Sequence, residues 1–243
     1  MTGSRLFDAI RDARAAGDEP LVVFDLDGTL YDNSHRTLRI LQEFAHTHAQ
    51  RYPALIARLR TVALKDLAYR VSDSLRAIGF DEAGLADEVT AFWKDRFFTS
   101  AYCYYDLPLA GAVELVRAVH DAGGVPTYLT GRDAPNMLQG TIGALQRDGF
   151  PIGTVTTRTI LKPRFEDDDH AFKRGVIAHL RKVGCVVGAF DNEPGLCNLF
   201  KEHFPDATVV HLDTAYAPDN PDLGDGVVRA ADFTGLIPVE GAR

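Results

Sequence analysis

Asp25 and Asp27 stand two residues apart in Asp25-Leu26-Asp27-Gly28-Thr29, directly after the apolar run at 21–24 (LVVF). In an extended chain that spacing puts both carboxylates on one side. Gly28 lets the backbone turn away, and the Thr29 hydroxyl can fix the turn. Other apolar runs end in the same abrupt way: 125–129 (VPTYL) in Thr130-Gly131-Arg132, 186–190 (VVGAF) in Asp191-Asn192-Glu193, and 207–212 (ATVVHL) in Asp213. If these runs are parallel strands, Asp25, Asp27, Thr130, Asp191 and Glu193 converge on one sheet edge. Carboxylates crowded there repel one another and need a divalent cation to stay ionised. An oxygen-only set without His or Cys selects a hard ion, most simply Mg²⁺. Such a site suits phosphoryl transfer, in which the metal and a lysine neutralise phosphate oxygens, one carboxylate attacks phosphorus and another protonates the leaving oxygen. Asp25, ending the strand, points at the metal. Asp27, on the turn, can reach a leaving group and act as general acid and then base. Thr130 offers a hydroxyl, and Gly131 a backbone N–H that can approach phosphate closely.

The elements that must position these residues are legible from periodicity. The runs are short and apolar throughout, the pattern of strands covered on both faces. A further candidate at 154–161 (TVTTRTIL) precedes Lys162-Pro163. Helical stripes fill the gaps: 112–122, with Val113, Val116 and Val119 before Gly123-Gly124; 136–147; and 172–183, with Phe172, Val176, Ile177 and Leu180. The alternation predicts an α/β fold, a Rossmann-like doubly wound parallel sheet built from right-handed βαβ units. Between 33 and 106 the pattern is helical only, in three segments at 34–50, 55–78 and 82–98, with a strand conceivable only at 102–105. This insertion follows the loop of the first strand, which predicts an all-helical cap (33–106) over the carboxyl ends of the strands of a catalytic core (1–32 and 107–243), where open α/β sheets bind ligands.

The 243 residues, with 26 Lys+Arg against 34 Asp+Glu (net −8) and 46% hydrophobic residues, suit one sizeable core carrying a smaller insert. The acidic balance argues against nucleic acid or an anionic membrane surface as partner. No apolar run approaches the roughly 18 residues needed to span a bilayer, and the first 19 residues mix Arg and Asp, so the expectation is a soluble, unexported, cytoplasmic chain. Cys103, Cys185 and Cys197 are odd in number and form no CxxC pair, which predicts reduced thiols rather than disulfides or a zinc site.

Asp25-Leu26-Asp27-Gly28-Thr29-Leu30 resembles the first motif of the haloacid dehalogenase superfamily, the DxDGT-L element of its aspartate-nucleophile phosphatases. Thr130 with Gly131-Arg132 resembles the second motif, Lys173 the third and Asp191-Asn192-Glu193 the acidic fourth. The matching core covers about two-thirds of the chain, and the place of the helical insertion resembles the C1 cap class. The resemblance implies a Rossmann-like core, Mg²⁺ held by Asp25, the backbone carbonyl of Asp27 and Asp191, and an aspartyl-phosphate on Asp25. It also implies that aspartate at position 27 favours phosphate chemistry over carbon–halogen cleavage. The fourth motif departs from the commoner paired aspartates, so either Asn192 or Glu193 completes the metal shell, with Glu193 acting through a water as the preferred reading.

Several residues carry two readings. Lys173 lies in the first helical turn after Asp169, a credible N-cap, where the family places its phosphate-binding lysine; Lys162, after a strand, is the rival. Thr130 either serves the site or caps the following helix, and Arg132 either touches substrate or lies on the surface. The acidic run 166–169 reads as a solvated helix entry, and His46 and His48 diverge on their helix. Tyr102, Tyr104 and Tyr105 suit hinge packing, Trp93 and Phe97 the core of the insertion, and 214–226 a loop beside the site or around the surface. Together these features predict a Mg²⁺-dependent phosphate-monoester hydrolase acting on a small phosphorylated metabolite, as a monomer or homodimer. The competing readings are a phosphomutase, a phosphonate hydrolase using a Schiff-base lysine (Lys65 and Lys94 are the insertion's lysines), and a non-catalytic phosphate-binding module.

Overall fold

The computed structural model describes residues 2–237. In chain order the elements are α1 (Thr2–Ala15), β1 (Pro20–Phe24), β2 (Tyr31–Asp32), α2 (Ser34–Thr47), α3 (Pro53–Leu59), α4 (Val71–Ala77), α5 (Leu85–Phe97), β3 (Leu107–Pro108), α6 (Ala112–Asp121), β4 (Val125–Asp133), α7 (Ala134–Asp148), β5 (Arg158–Lys162), α8 (Asp169–Leu180), β6 (Cys185–Asp191), α9 (Pro194–His203), β7 (Thr208–Leu212) and β8 (Val228–Ala230). Six strands form one sheet in the order β5-β4-β1-β6-β7-β8, every pair parallel. The fold is the Rossmann-like α/β sheet expected from the alternation of apolar runs and helical stripes.

β1 shows why the sheet needs cover on both sides, because all five of its residues are buried. Val22 and Phe24 face a core shared with Leu6 and Ile10 of α1, Val116 and Val119 of α6, and Leu145 of α7. Leu21 and Val23 face the opposite core, with Ile177 and Leu180 of α8 and Phe200 of α9. The parallel strands end together, so Asp25 follows β1 level with the end of β6 and donates its backbone N–H to the Phe190 carbonyl (3.0 Å).

Helices α2 to α5 pack on one another through Leu41, Phe44, Leu55, Leu59, Leu75, Leu85 and Val89. The chain leaves the sheet through β2 and returns through β3, and these two-residue strands pair antiparallel, Tyr31 with Pro108 and Asp32 with Leu107. The expected long middle helix at 55–78 is instead two short ones, α3 and α4, separated by residues 60–70, which hold a single 3-10 turn at Leu64–Asp66. The buried Ser74 hydroxyl explains the break: it accepts from the Ala68 N–H (2.8 Å) and donates to the Ala68 and Arg70 carbonyls, bonding that competes with a continuous helix.

Other departures are local. Residues Tyr102–Tyr105 form a 3-10 turn rather than a strand, because Ser100 and Cys103 tie this segment to neighbouring carbonyls (Ser100 N–H to Asn136 O, Cys103 Sγ to Thr99 O). Asp168, not Asp169, caps α8 by accepting from the Ala171 N–H (2.8 Å), which frees the Asp169 carboxylate for Lys162. Among the described residues no helix is long and apolar enough to cross a membrane.

Candidate active site

The site is built on the carboxyl ends of the central strands. Past β1 the chain makes a tight turn in which Gly28 has φ +78° and donates to the Tyr31 carbonyl (2.9 Å). A side chain at this position would be strained by φ and would also collide with the Asn192 amide, 2.3 Å from an ideal Cβ. Thr29 closes the turn from beneath. Its hydroxyl lies 3.3 Å from both Asp25 Oδ2 and Asn192 Oδ1. Asn192 in turn donates to the Ala215 carbonyl (2.8 Å), so this amide braces two loops.

Asp25, Lys173 and Asp191 form a buried cluster. Lys173 Nζ, on the first turns of α8, donates to Asp25 Oδ1 (2.7 Å) and Asp191 Oδ2 (3.0 Å), with each residue no more than 5% exposed. Burial pushes the Asp25 carboxyl up to about 7; the Lys173 charge opposes this, while Asp191 and Asp27 add to it. Burial works against the Lys173 ammonium, but the charges of Asp191 and Asp25 outweigh it and raise that group well above the usual lysine range. Two carboxylates share one ammonium, so ionising both leaves one excess negative charge in a buried place, and that is what pushes Asp25 up.

That excess charge is the test of a metal site. Asp25 and Asp191 offer hard oxygen donors, and a divalent cation would balance the cluster. Among the described residues no group of three or more His, Cys, Asp or Glu side chains is arranged to hold a metal; the carboxylates brought together here are those of Asp25 and Asp191. Glu193 turns elsewhere: its carboxylate accepts from the Asn220 amide, and its backbone N–H donates to Asp191 Oδ1 (2.9 Å).

Asp27 sits in a different environment, with its side chain 29% exposed. Arg132 grips it in a bidentate fork, Nε to Oδ2 and Nη2 to Oδ1, both at 2.7 Å. Arg36 Nη2 adds a third contact to Oδ1 at 3.2 Å. Burial opposes ionisation of Asp27, but Arg132 first and then Arg36 and Lys173 hold its carboxyl well below the usual carboxylate range.

Arg132 is therefore neither a surface group nor free for substrate. It is 3% exposed and lies where the pairing of β4 with β5 shifts register between Thr130 and Asp133. Thr130 is fully buried and its hydroxyl accepts from the Arg132 N–H (3.2 Å). The helix cap that Thr130 could have supplied is Asp133, which accepts from Asn136 N–H (2.9 Å). A Cβ on Gly131 would come within 2.8 Å of the Asp169 carboxylate, so the missing side chain lets β4 and the start of α8 approach. Lys162 is occupied by Asp169 Oδ1 (2.6 Å) and the Phe165 and Asp167 carbonyls. Lys173, not Lys162, is the lysine brought to Asp25.

A family profile of the haloacid dehalogenase-like hydrolases matches residues 20–187, from β1 through both the Asp25 turn and Lys173. The chain belongs to this family. Searched against curated proteins, it finds no match. Solved structures of similar fold include protein tyrosine kinase A of Mycobacterium tuberculosis (TM-score 0.52, 17% identity, covering 88% of this chain and 94% of that one). A candidate haloacid dehalogenase-like hydrolase from Burkholderia xenovorans gives a TM-score of 0.50 at 16% identity, covering 90% and 95%. A candidate phosphatase from Clostridium difficile gives 0.51 at 13%, covering 88% and 94%. At these identities the likeness speaks to the fold.

Two residues at this haloacid dehalogenase-like site escaped sequence reasoning, Arg36 and Asp106, both fully buried. Arg36 left a trace: it shares the buried stripe of α2 with Ile40 and Phe44, four residues apart each time. A charge in an apolar stripe needs a buried partner. Asp106 left none, because it lies in the irregular chain just before β3.

Proposed function

We propose that this hydrolase is a divalent-metal-dependent phosphomonoesterase acting on a small phosphorylated metabolite, with Asp25 as nucleophile, Asp27 as general acid and then base, and the α2–α5 insertion as a C1-type cap. The observation that carries the reading is the pairing of two unlike aspartates two residues apart. Asp25 is buried against Lys173 and Asp191 with its Oδ2 met by the Thr29 hydroxyl at 3.3 Å, while Asp27 is partly open and held by Arg132. The nucleophile must be ionised and the acid protonated, the reverse of the shifts that the protein's own groups impose on Asp25 and Asp27, so the reading requires a bound cation to favour ionised Asp25 and the charge of a bound phosphate to favour protonated Asp27.

In this reading Asp25 and Asp191, with the main-chain carbonyl of Asp27, would hold Mg²⁺, which when bound supplies charge neutralisation at the phosphoryl oxygens. A carboxylate oxygen of Asp25 attacks phosphorus as the ester P–O bond breaks. Asp27, having taken up a proton from solvent as the negatively charged phosphate enters, gives it to the departing oxygen. The aspartyl-phosphate on Asp25 is then hydrolysed by a water whose proton Asp27 takes up, restoring both residues. Lys173 orients Asp25 and offsets charge on the phosphoryl group, and Thr130 supports the end of β4, where Gly131 lies.

With Mg²⁺ present, the wild-type chain is expected to release inorganic phosphate from para-nitrophenyl phosphate, and Asp25→Asn to abolish that release while circular dichroism stays native. Undiminished turnover by Asp25→Asn would remove Asp25 as the nucleophile.

A further inference from the structure

We propose that Arg36 and Asp106 are positioning residues for Asp27, holding it through Arg132 so that one oxygen, Oδ2, exchanges the proton. The inference rests on the phosphomonoesterase reading of Asp27 as acid and base, and it adds two residues outside the motifs of that reading.

The four side chains form one network. Asp106 Oδ1 accepts from Arg36 Nε (2.7 Å) and Asn33 Nδ2 (3.0 Å), while its Oδ2 accepts from Arg36 Nη2 and from Arg132 Nη2 (2.8 Å). The side chains of Arg36 and Asp106 are 0% exposed and that of Arg132 is 2%; Asp27 alone, at 29%, opens outward. The Arg36 guanidinium also lies 4.3 Å over the Phe97 ring and donates to the Phe97 carbonyl (3.0 Å). Charge is balanced, two guanidiniums against two carboxylates. Buried ion networks of this kind seldom add net stability over apolar packing. What the network does hold is the orientation of its one open member.

Asp27 Oδ1 accepts from two guanidiniums, Arg132 Nη2 and Arg36 Nη2, whereas among the described residues Oδ2 accepts only from Arg132 Nε. A carboxylate oxygen has two lone pairs, so Oδ1 is filled and Oδ2 keeps one position for a proton. Asp106 fixes both donors by gripping each guanidinium. The network also joins the two points where the chain departs for the helical insertion and comes back: Asn33 and Arg36 at the start of α2, Asp106 just before β3. Asn33 carries the link to the Asp25–Thr29 turn, accepting from the Gly28 N–H (3.0 Å). The seating of the insertion thereby sets the seating of the acid.

The test compares phenyl phosphate, whose leaving oxygen needs a proton, with para-nitrophenyl phosphate, whose leaving group needs little help, in wild type, Asp106→Asn and Arg36→Lys with Mg²⁺. Arg36→Lys keeps the charge and serves if Asp106→Asn does not fold. In both variants kcat on phenyl phosphate is expected to fall about tenfold or more, part of the roughly 10²–10⁴ that general acid–base catalysis supplies. On para-nitrophenyl phosphate it should fall less than about threefold, with KM little changed. In an Asp27→Asn background, Asp106→Asn should add almost nothing, since residues acting through one group are not additive. Parallel losses on both esters, or full additivity with Asp27→Asn, would overturn the positioning role and leave the phosphatase reading intact. If wild type cleaves neither ester, the phosphatase reading fails. The acid role fails with it, and what is left, that Asp106 seats the Arg132–Asp27 fork, is judged by a crystal structure of Asp106→Asn, where an unmoved fork overturns it and a displaced one sustains it.

Discussion

Lys173 stands between Asp25 and Asp191, and its removal strands two buried carboxylates. Breaking a buried pair in this way costs about 3–5 kcal/mol, so Lys173→Met is expected to lower the melting temperature of metal-free protein and to abolish phosphate release. Thermal unfolding with a chelator present checks the first part, and an unchanged melting temperature would mean the cluster is not coupled to folding. The same residue shows the limit of reading one sequence. Lys162 ends β5 and Lys173 lies in the first turns of α8, and local pattern ranks them only by analogy. The choice is made across the sheet: α8 aims Lys173 at β1 and β6, while Asp169 and two carbonyls hold Lys162. Arg36 and Asp106 are 70 residues apart, and no local pattern links an arginine in a helical stripe to an aspartate in an irregular segment.

At the scale of elements, α7 makes a direct prediction from two of its glycines. Glycine inside a helix costs roughly 1 kcal/mol relative to alanine, so Gly→Ala should stabilise wherever the methyl group fits. Gly143 has open space around it, and Gly143→Ala is expected to stabilise the protein by about 0.5–1 kcal/mol. At Gly140 a Cβ would lie 2.3 Å from the Ser100 carbonyl oxygen, and the Gly140 N–H donates to the Ser100 hydroxyl (3.0 Å). Gly140→Ala should therefore destabilise, by pushing α7 off the segment that returns from the helical insertion. Denaturant unfolding of the two variants gives opposite signs if the packing is as described; equal stabilisation would refute it. The break between α3 and α4 carries a related lesson. The apolar stripe ran through 55–78 as one helix, but a single buried hydroxyl, Ser74, redirected the backbone bonding there. Periodicity reports which face is buried and is blind to such competition.

Over the whole molecule, a divalent cation held by the Asp25–Lys173–Asp191 cluster would link its binding to folding. A cation that binds only the folded state stabilises it by mass action, about 2.7 kcal/mol at about 100 times its Kd. For a chain of this size that corresponds to a rise of about 5–10 °C in melting temperature. Addition of Mg²⁺ to chelated protein is expected to give such a rise, and Asp191→Asn to remove most of it. A wild-type melting temperature indifferent to Mg²⁺ would argue against a metal at this cluster. The Arg70–Asp219 pair, which ties residue 70 of the helical insertion to the loop after β7, is exposed on both sides and should add under about 1 kcal/mol.

The amino-acid sequence by itself determined the parallel sheet and the turn after β1, because both follow from interactions among near neighbours: apolar runs that must be covered on two faces, a spacing of two between aspartates, and a glycine where φ is positive. Only the tertiary structure decided which lysine reaches Asp25, that Arg132 forks Asp27 instead of lying on the surface, and that Arg36 and Asp106 complete the network behind it. These are choices among charged side chains with similar local surroundings. They are settled by which groups the packed helices bury together, since a buried charge must find an opposite one within hydrogen-bond reach.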